Sequence, residues 1–196
     1  MPRSTPRPRR GTPDETRARL VEAAAHVFNS DGYFATDSNK LARAAGYSPG
    51  TFYQHFADKR AIFLAAYQRW ATDERQEITR ALTAKAEGRS RAAQVARVVM
   101  TQHQRWATLR ASLRALVLTD EVVRDFVTEE RRAQLASLAA ARRKSPGVEH
   151  TRADDWALLL YLERVADSVA WGEAKALGVS ARGLEAALVR ALEEYF

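Results

Sequence analysis

Gly46-Tyr47-Ser48-Pro49-Gly50-Thr51-Phe52-Tyr53-Gln54-His55-Phe56-Ala57-Asp58-Lys59 is the stretch that decides the fold. Ser48 before Pro49 reads as an N-cap followed by a first helical residue. Phe52 and Phe56, four apart, mark the buried side of a short helix. Upstream, Thr36 or Asp37 caps a brief helix running to Ala45, with Leu41, Ala42 and Ala45 inward, and Gly46 ends it. Downstream, Asp58 caps a longer helix with Ile62, Phe63, Ala66 and Trp70 on one face. Short helix, glycine-containing turn, short helix is the helix-turn-helix pattern.

Working outward, Thr12-Pro13-Asp14-Glu15 has the residues of a capping box. Leu20, Ala24, Val27 and Phe28 follow at helical spacing, until Asp31-Gly32 stops the run. Residues 1–12 hold four Arg and three Pro and, after Met1, no large apolar side chain. They bury too little surface to offset their ordering entropy and read as a disordered basic arm. That arm is either a solubilising tail or a minor-groove contact.

Beyond residue 71 the chain keeps the helical period and is rich in Ala and Leu, with breaks at Gly88, Pro146-Gly147 and Gly178. Thr119-Asp120-Glu121 and Thr151-Arg152-Ala153-Asp154 read as helix starts. No strand pattern occurs, so the expected fold is all-α with about nine helices. The expected division is the arm at 1–12, a helix-turn-helix domain at 13–60 and a helical domain at 61–196.

Composition removes several functions. The 196 residues include no cysteine, which excludes disulfides, thiolate metal sites and a thiol nucleophile. The four histidines form no ligand spacing and no glycine-rich phosphate loop occurs, so neither metal, cofactor nor enzyme activity is expected. No apolar run exceeds the seven residues of Trp156 to Leu162, against about 20 for a membrane span; no membrane partner and a cytoplasmic location are expected. The net charge is +7, but residues 13–60 carry six basic and six acidic side chains. Charge therefore does not single out the head.

Its geometry does. A helix that enters a major groove must be small at its N-terminus and polar outward. Pro49 and Gly50 are small, and Thr51, Tyr53, Gln54 and His55 supply hydroxyl, amide and imidazole groups. The bland alternative is that Tyr53 and His55 only cap a surface helix.

Together with Phe28, Gly32-Tyr33, Ala35-Thr36, Leu41-Ala42, Ala45-Gly46, Ser48, Gly50-Thr51, Tyr53, His55-Phe56 and Lys59, these residues make the region 14–70 resemble the DNA-binding domain of the TetR family of bacterial regulators. The resemblance implies phosphate contacts from Ser38, Tyr53, His55 and Lys59, and positions near the bases for Asn39, Pro49, Gly50, Thr51 and Gln54. Lys40 and Ser48 complete the implied DNA-facing set. Ser38 stands where the family often has Val.

The resemblance also implies double-stranded operator DNA of near-palindromic sequence, a homodimer through helices 152–177 and 181–195, and a ligand-released repressor. The helix from 152 is apolar nearly all round, and Leu184, Leu188, Ala191 and Leu192 form one stripe on the last helix; an ordinary monomer core is the alternative. An effector pocket is implied in the second half. Polar groups set in apolar helices point to Met100, His103, Trp106, Phe126, Trp156, Arg164, Asp167 and Trp171. Alternatively Glu163, Arg164 and Asp167 face solvent or pair across the dimer seam, Arg164 also being able to serve either carboxylate beside it. A helical small-molecule or lipid carrier without DNA binding is the rival function; it leaves Ser48–Lys59 unexplained.

Overall fold

The computed structural model describes residues 11–83, 90–142 and 150–196, the side chain of Thr83 excepted. The expected arm lies outside them except for Gly11 and Thr12, as do the expected breaks at Gly88 and Pro146-Gly147. Among the described residues there are ten helices and no strand: α1 (Pro13–Asp31), α2 (Ser38–Ala44), α3 (Pro49–His55), α4 (Lys59–Thr83), α5 (Arg91–Arg105), α6 (Ala107–Val117), α7 (Glu121–Arg142), α8 (Arg152–Ala170), α9 (Glu173–Ala176) and α10 (Ala181–Tyr195). The all-α expectation holds, and the count exceeds nine because the chain breaks where the sequence does not announce it, once at the end of α8. Helix α8 ends at Ala170 instead of running to 177, because Gly172 takes a left-handed φ of 78° and starts α9 afresh. None of these helices is long and apolar enough to cross a membrane.

Local chemistry sets the helix ends. The Thr12 hydroxyl accepts from the Glu15 amide at 3.2 Å while Glu15 accepts from the Thr12 amide at 3.0 Å. Thr12 thus caps α1. Asp37 and not Thr36 caps α2, at 2.7 Å from the Lys40 amide. Asp58 accepts from the Ala61 amide at 2.7 Å at the head of α4. Thr151 and Asp154 form a second reciprocal box on α8, whose hydrogen bonds, the Thr151 amide first, hold Asp154 below the usual carboxylate range.

The chain divides into two compact units, Met1–Trp70 with Thr108–Arg124, and Ala71–Ala107 with Asp125–Phe196. In the first, Leu20, Phe28, Leu41, Phe52, Ile62, Phe63 and Leu109 are fully buried. The Phe28 and Phe63 rings meet edge to face with centroids 5.0 Å apart. Helix α6 is fastened to α1 by the Leu109 amide donating to Asn29, and to the turn after α1 by the Ser112 hydroxyl accepting from the Tyr33 amide at 3.1 Å. The Arg110 guanidinium is buried 4.9 Å from the centre of the Trp70 ring. Asp120 lies 3.1 Å from Arg60; partial burial pushes its carboxyl up, but the Arg60 hydrogen bond and the Val123 amide outweigh that and hold it low.

In the second unit, Val95, Ala96, Val99 and Met100 of α5, Leu158, Leu162 and Ala166 of α8, and Leu188, Leu192 and Tyr195 of α10 build one apolar core. The stripe on α10 is thus satisfied largely within the chain. Leu160 and Tyr161 of α8 remain 46% and 40% exposed. The C-terminal end is locked by polar bonds: Tyr195 donates its hydroxyl to Asp155, which lies 3.1 Å from Arg142. His150 stacks on the Tyr195 ring at 4.2 Å and donates Nε2–H to the Tyr195 carbonyl.

Candidate nucleic-acid interface

The turn between α2 and α3 is built by Gly46. Its φ of 78° admits no Cβ without strain. The Gly46 amide donates to the Arg43 carbonyl and the Tyr47 amide to the Ala42 carbonyl, at 3.0 and 2.9 Å. This Schellman closure satisfies the last carbonyls of α2 and reverses the chain within two residues. Ser48 then starts α3, its hydroxyl accepting from the Thr51 amide at 3.2 Å and lying 3.1 Å from the Thr51 hydroxyl.

Helix α3 is held by one side. Phe52 is fully buried and Phe56 nearly so, with ring centroids 5.9 Å apart. Pro49, Gly50, Tyr53 and Gln54 are exposed, and Thr51 and His55 half-buried. Tyr53 keeps 57% of its surface accessible while its ring rests edge-on against Phe52, so the phenol is aimed outward from a fixed ring. A built Cβ on Gly50 meets only the Ser48 hydroxyl, at 3.8 Å. The fold itself does not require glycine there.

The α2 residues of the expected set divide. Asn39 is exposed and Ser38 half-buried. Lys40 pairs with Asp31 at 2.7 Å, and that bond is the main reason the Asp31 carboxyl sits below its usual range. Lys59 turns inward: its ammonium donates to the Tyr33 and Thr36 carbonyls at 3.0 and 2.8 Å and lies 4.0 Å from the Tyr33 ring centre. Burial draws its pKa below the usual lysine value. Arg17, which the sequence reading passed over, lies on α1 with its guanidinium 5.0 Å from the Phe56 ring centre. No local sequence signal pairs it with a residue 39 positions on.

The residues expected to line an effector pocket are brought together only in part. His103 and Asp167 meet at 2.8 Å in the buried core, with Glu74 at 3.6 Å from the other ring nitrogen. Arg164 is exposed and directs its hydrogen bonds to Glu173, at 2.6 Å. Glu163 is buried and bound in bidentate fashion by Arg131, whose guanidinium also lies 5.5 Å from the Trp156 ring centre. Solvent exposure is therefore wrong for Glu163 and Asp167, and right for Arg164. Trp171 is 40% exposed and donates its indole N–H to the Ala107 carbonyl at 3.4 Å. Trp106 and Phe126 are half-buried. Met100 lines a cleft of about 270 Å³ with Arg97, Thr101, Gln104, Arg182 and Glu185, between α5 and α10. Among the described residues no group of three His, Asp or Glu is arranged to hold a metal ion.

Comparison with known proteins agrees with this geometry. Residues 20–66 match the family model described as bacterial regulatory proteins, tetR family. The HTH-type transcriptional activator FasR of Mycolicibacterium smegmatis is 36% identical over 78 residues, 40% of this chain but only 36% of FasR. The HTH-type transcriptional repressor AcnR of Corynebacterium efficiens is 27% identical over 180 residues, 90% of each chain. The solved structure of the fatty acid degradation regulator FadR of Bacillus halodurans shares the fold with a TM-score of 0.67 at 17% identity, covering 96% of both chains. These proteins are named as regulators and not as enzymes. Its helix-turn-helix at residues 20–66 matches the tetR family of bacterial regulatory proteins, and the chain as a whole is similar to these regulators in fold.

Proposed function

We propose that this chain is a transcriptional regulator that binds a near-palindromic operator as a homodimer and is released from it by a small molecule. The observation that carries the DNA-binding part is α3, a helix fixed by buried Phe52 that exposes Pro49, Gly50, Tyr53 and Gln54. Tyr53, His55 and Ser38 make the phosphate contacts that set register, with Lys40 at their margin. Asn39, Pro49, Gly50, Thr51 and Gln54 lie against base edges, with Ser48 fixing the start of the helix. The similarity to AcnR, a repressor by name, runs through 90% of both chains and supports repression; the match to the activator FasR spans only 40% of this chain.

Two reading heads on a two-fold axis demand half-sites about one helical turn apart. Exposed Leu160 and Tyr161 on α8 suit that pairing surface, and the dimer is formed by residues 152–177 and 181–195. The effector enters the second unit, with Met100 in its cleft. Helix α4 carries the signal because its 25 residues begin in one unit and end in the other. The coupling is of the usual size, about 1–3 kcal/mol, and reciprocal.

Selection from random-sequence DNA followed by gel shift is the test. Enrichment of a palindrome is expected; failure to enrich any sequence sinks the regulator reading and favours a carrier.

A further inference from the structure

Lys59 is one of six basic residues between positions 13 and 60, and its ammonium faces the protein. Its two carbonyl acceptors, Tyr33 and Thr36, lie in the turn that joins α1 to α2. Lys59 itself opens α4, three residues after Phe56. One cation therefore ties the entry of the helix-turn-helix segment to its exit. We propose that Lys59 is a positioning residue that closes this segment into a fixed loop, and that operator recognition depends on it through that closure rather than through a phosphate contact. The inference rests on the DNA-binding reading above.

The turn that Lys59 grips is anchored on other sides. The Thr36 hydroxyl donates to the Gly32 carbonyl at 2.8 Å, and the Tyr33 amide donates to Ser112 at 3.1 Å. The Tyr33 ring lies edge-on against Phe63, centroids 5.1 Å apart. Carbonyls beyond a helix end lack helical donors and need others, and the ammonium supplies two of its three. The Tyr33 ring face takes up part of the remaining charge. Swinging the ammonium out to a phosphate would exchange two charge-assisted hydrogen bonds and this ring contact for one new bond. Burial, which lowers the Lys59 pKa, agrees with an ammonium withdrawn from bulk water.

Loss of the closure lets α2 and α3 shift against α1 and α4. Base-edge contacts need hydrogen-bond geometry at fixed atoms, whereas long side chains follow a displaced phosphate. Discrimination should therefore suffer before general DNA affinity does.

The test compares wild type with Lys59→Met, which keeps the stem and removes the ammonium, on the operator enriched by the wild type and on random DNA. Both proteins are held at a temperature where circular dichroism shows them equally folded. Operator affinity should fall about tenfold, random-DNA affinity by less than about threefold, and the slope of log Kd against log salt should stay unchanged. Equal loss on both DNAs with a slope lowered by about one marks a phosphate contact and overturns the proposal. Unaltered discrimination overturns it alone, while a wild type that selects no sequence overturns the regulator reading and this inference together. Should Lys59→Met not fold, ammonium ¹⁵N spectra of the wild type decide. A Lys59 signal keeping its carbonyl hydrogen bonds with and without operator supports closure, and its transfer to phosphate on binding overturns it.

Discussion

His103 Nδ1 lies 2.8 Å from Asp167 Oδ1, and both side chains are buried, His103 to 1% and Asp167 to 0% residual exposure. A carboxylate oxygen accepts, so Nδ1 carries the proton and the bond fastens α5 to α8. A buried acceptor deprived of its donor costs about 1–3 kcal/mol. His103→Leu should lower unfolding free energy by that amount. The double variant His103→Leu/Asp167→Leu should recover part of the loss, since it removes both polar groups. Urea titration of the full double-mutant cycle measures the coupling, expected at about 0.5–3 kcal/mol. Strictly additive effects would show that the two residues act independently.

Much of the architecture was legible because its causes are local. The caps Thr12, Asp37, Ser48, Thr151 and Ser180 each bond an amide three residues on, and such pairs can be read from spacing alone. The helix-turn-helix was legible for the same reason: Gly46, Ser48-Pro49 and Phe52/Phe56 are neighbours in sequence. The break after α5 was not, because Trp106 ends that helix without glycine or proline, its amide still bonded to the Gln102 carbonyl at 3.1 Å. Packing decides there. Ion-pair partners were equally hidden, since Glu163 chose Arg131, 32 residues away, over adjacent Arg164. The inward turn of Lys59 depends on carbonyls 23 and 26 residues back, which no spacing rule reaches.

Tyr195 gives the second unit a pH limit. Burial foremost, then its hydrogen bond to Asp155, raises the phenol above its ordinary value of 10.0. The unfolded chain ionises this group first, so its stabilising share is intact below the ordinary tyrosine range and declines as pH rises beyond it. Urea midpoints of wild type should therefore fall more steeply between about pH 9 and 11 than those of Tyr195→Phe. Parallel curves would mean that the phenol does not govern the alkaline limit.

The proposed division of DNA contacts makes opposite demands on neighbouring side chains. Tyr53→Phe removes one outward hydroxyl and should weaken operator and random DNA alike. Gln54→Ala or Asn39→Ala should instead relax preference at a single base pair, at a cost of about 1–3 kcal/mol for the preferred base. Competition binding against a panel of single-base operator variants separates the two patterns. Uniform loss from all three substitutions would place Gln54 and Asn39 on the backbone rather than the bases.

Gly50 separates the needs of the fold from those of the interface. It sits inside α3 with φ outside the left-handed region, and a Cβ there meets nothing closer than 3.8 Å. Glycine in a helix is less favourable than alanine by up to about 1 kcal/mol, so a protein with only its own stability to serve would do better with alanine. Gly50→Ala should accordingly hold or raise the melting temperature of the free protein. If α3 approaches the base edges with its N-terminal turn, the same methyl group meets DNA and operator affinity should drop at least tenfold, about 1.4 kcal/mol. Thermal melting and gel shift on one preparation read both signs. A variant that is more stable and binds as tightly would remove Gly50 from the interface and shift the close approach toward Gln54.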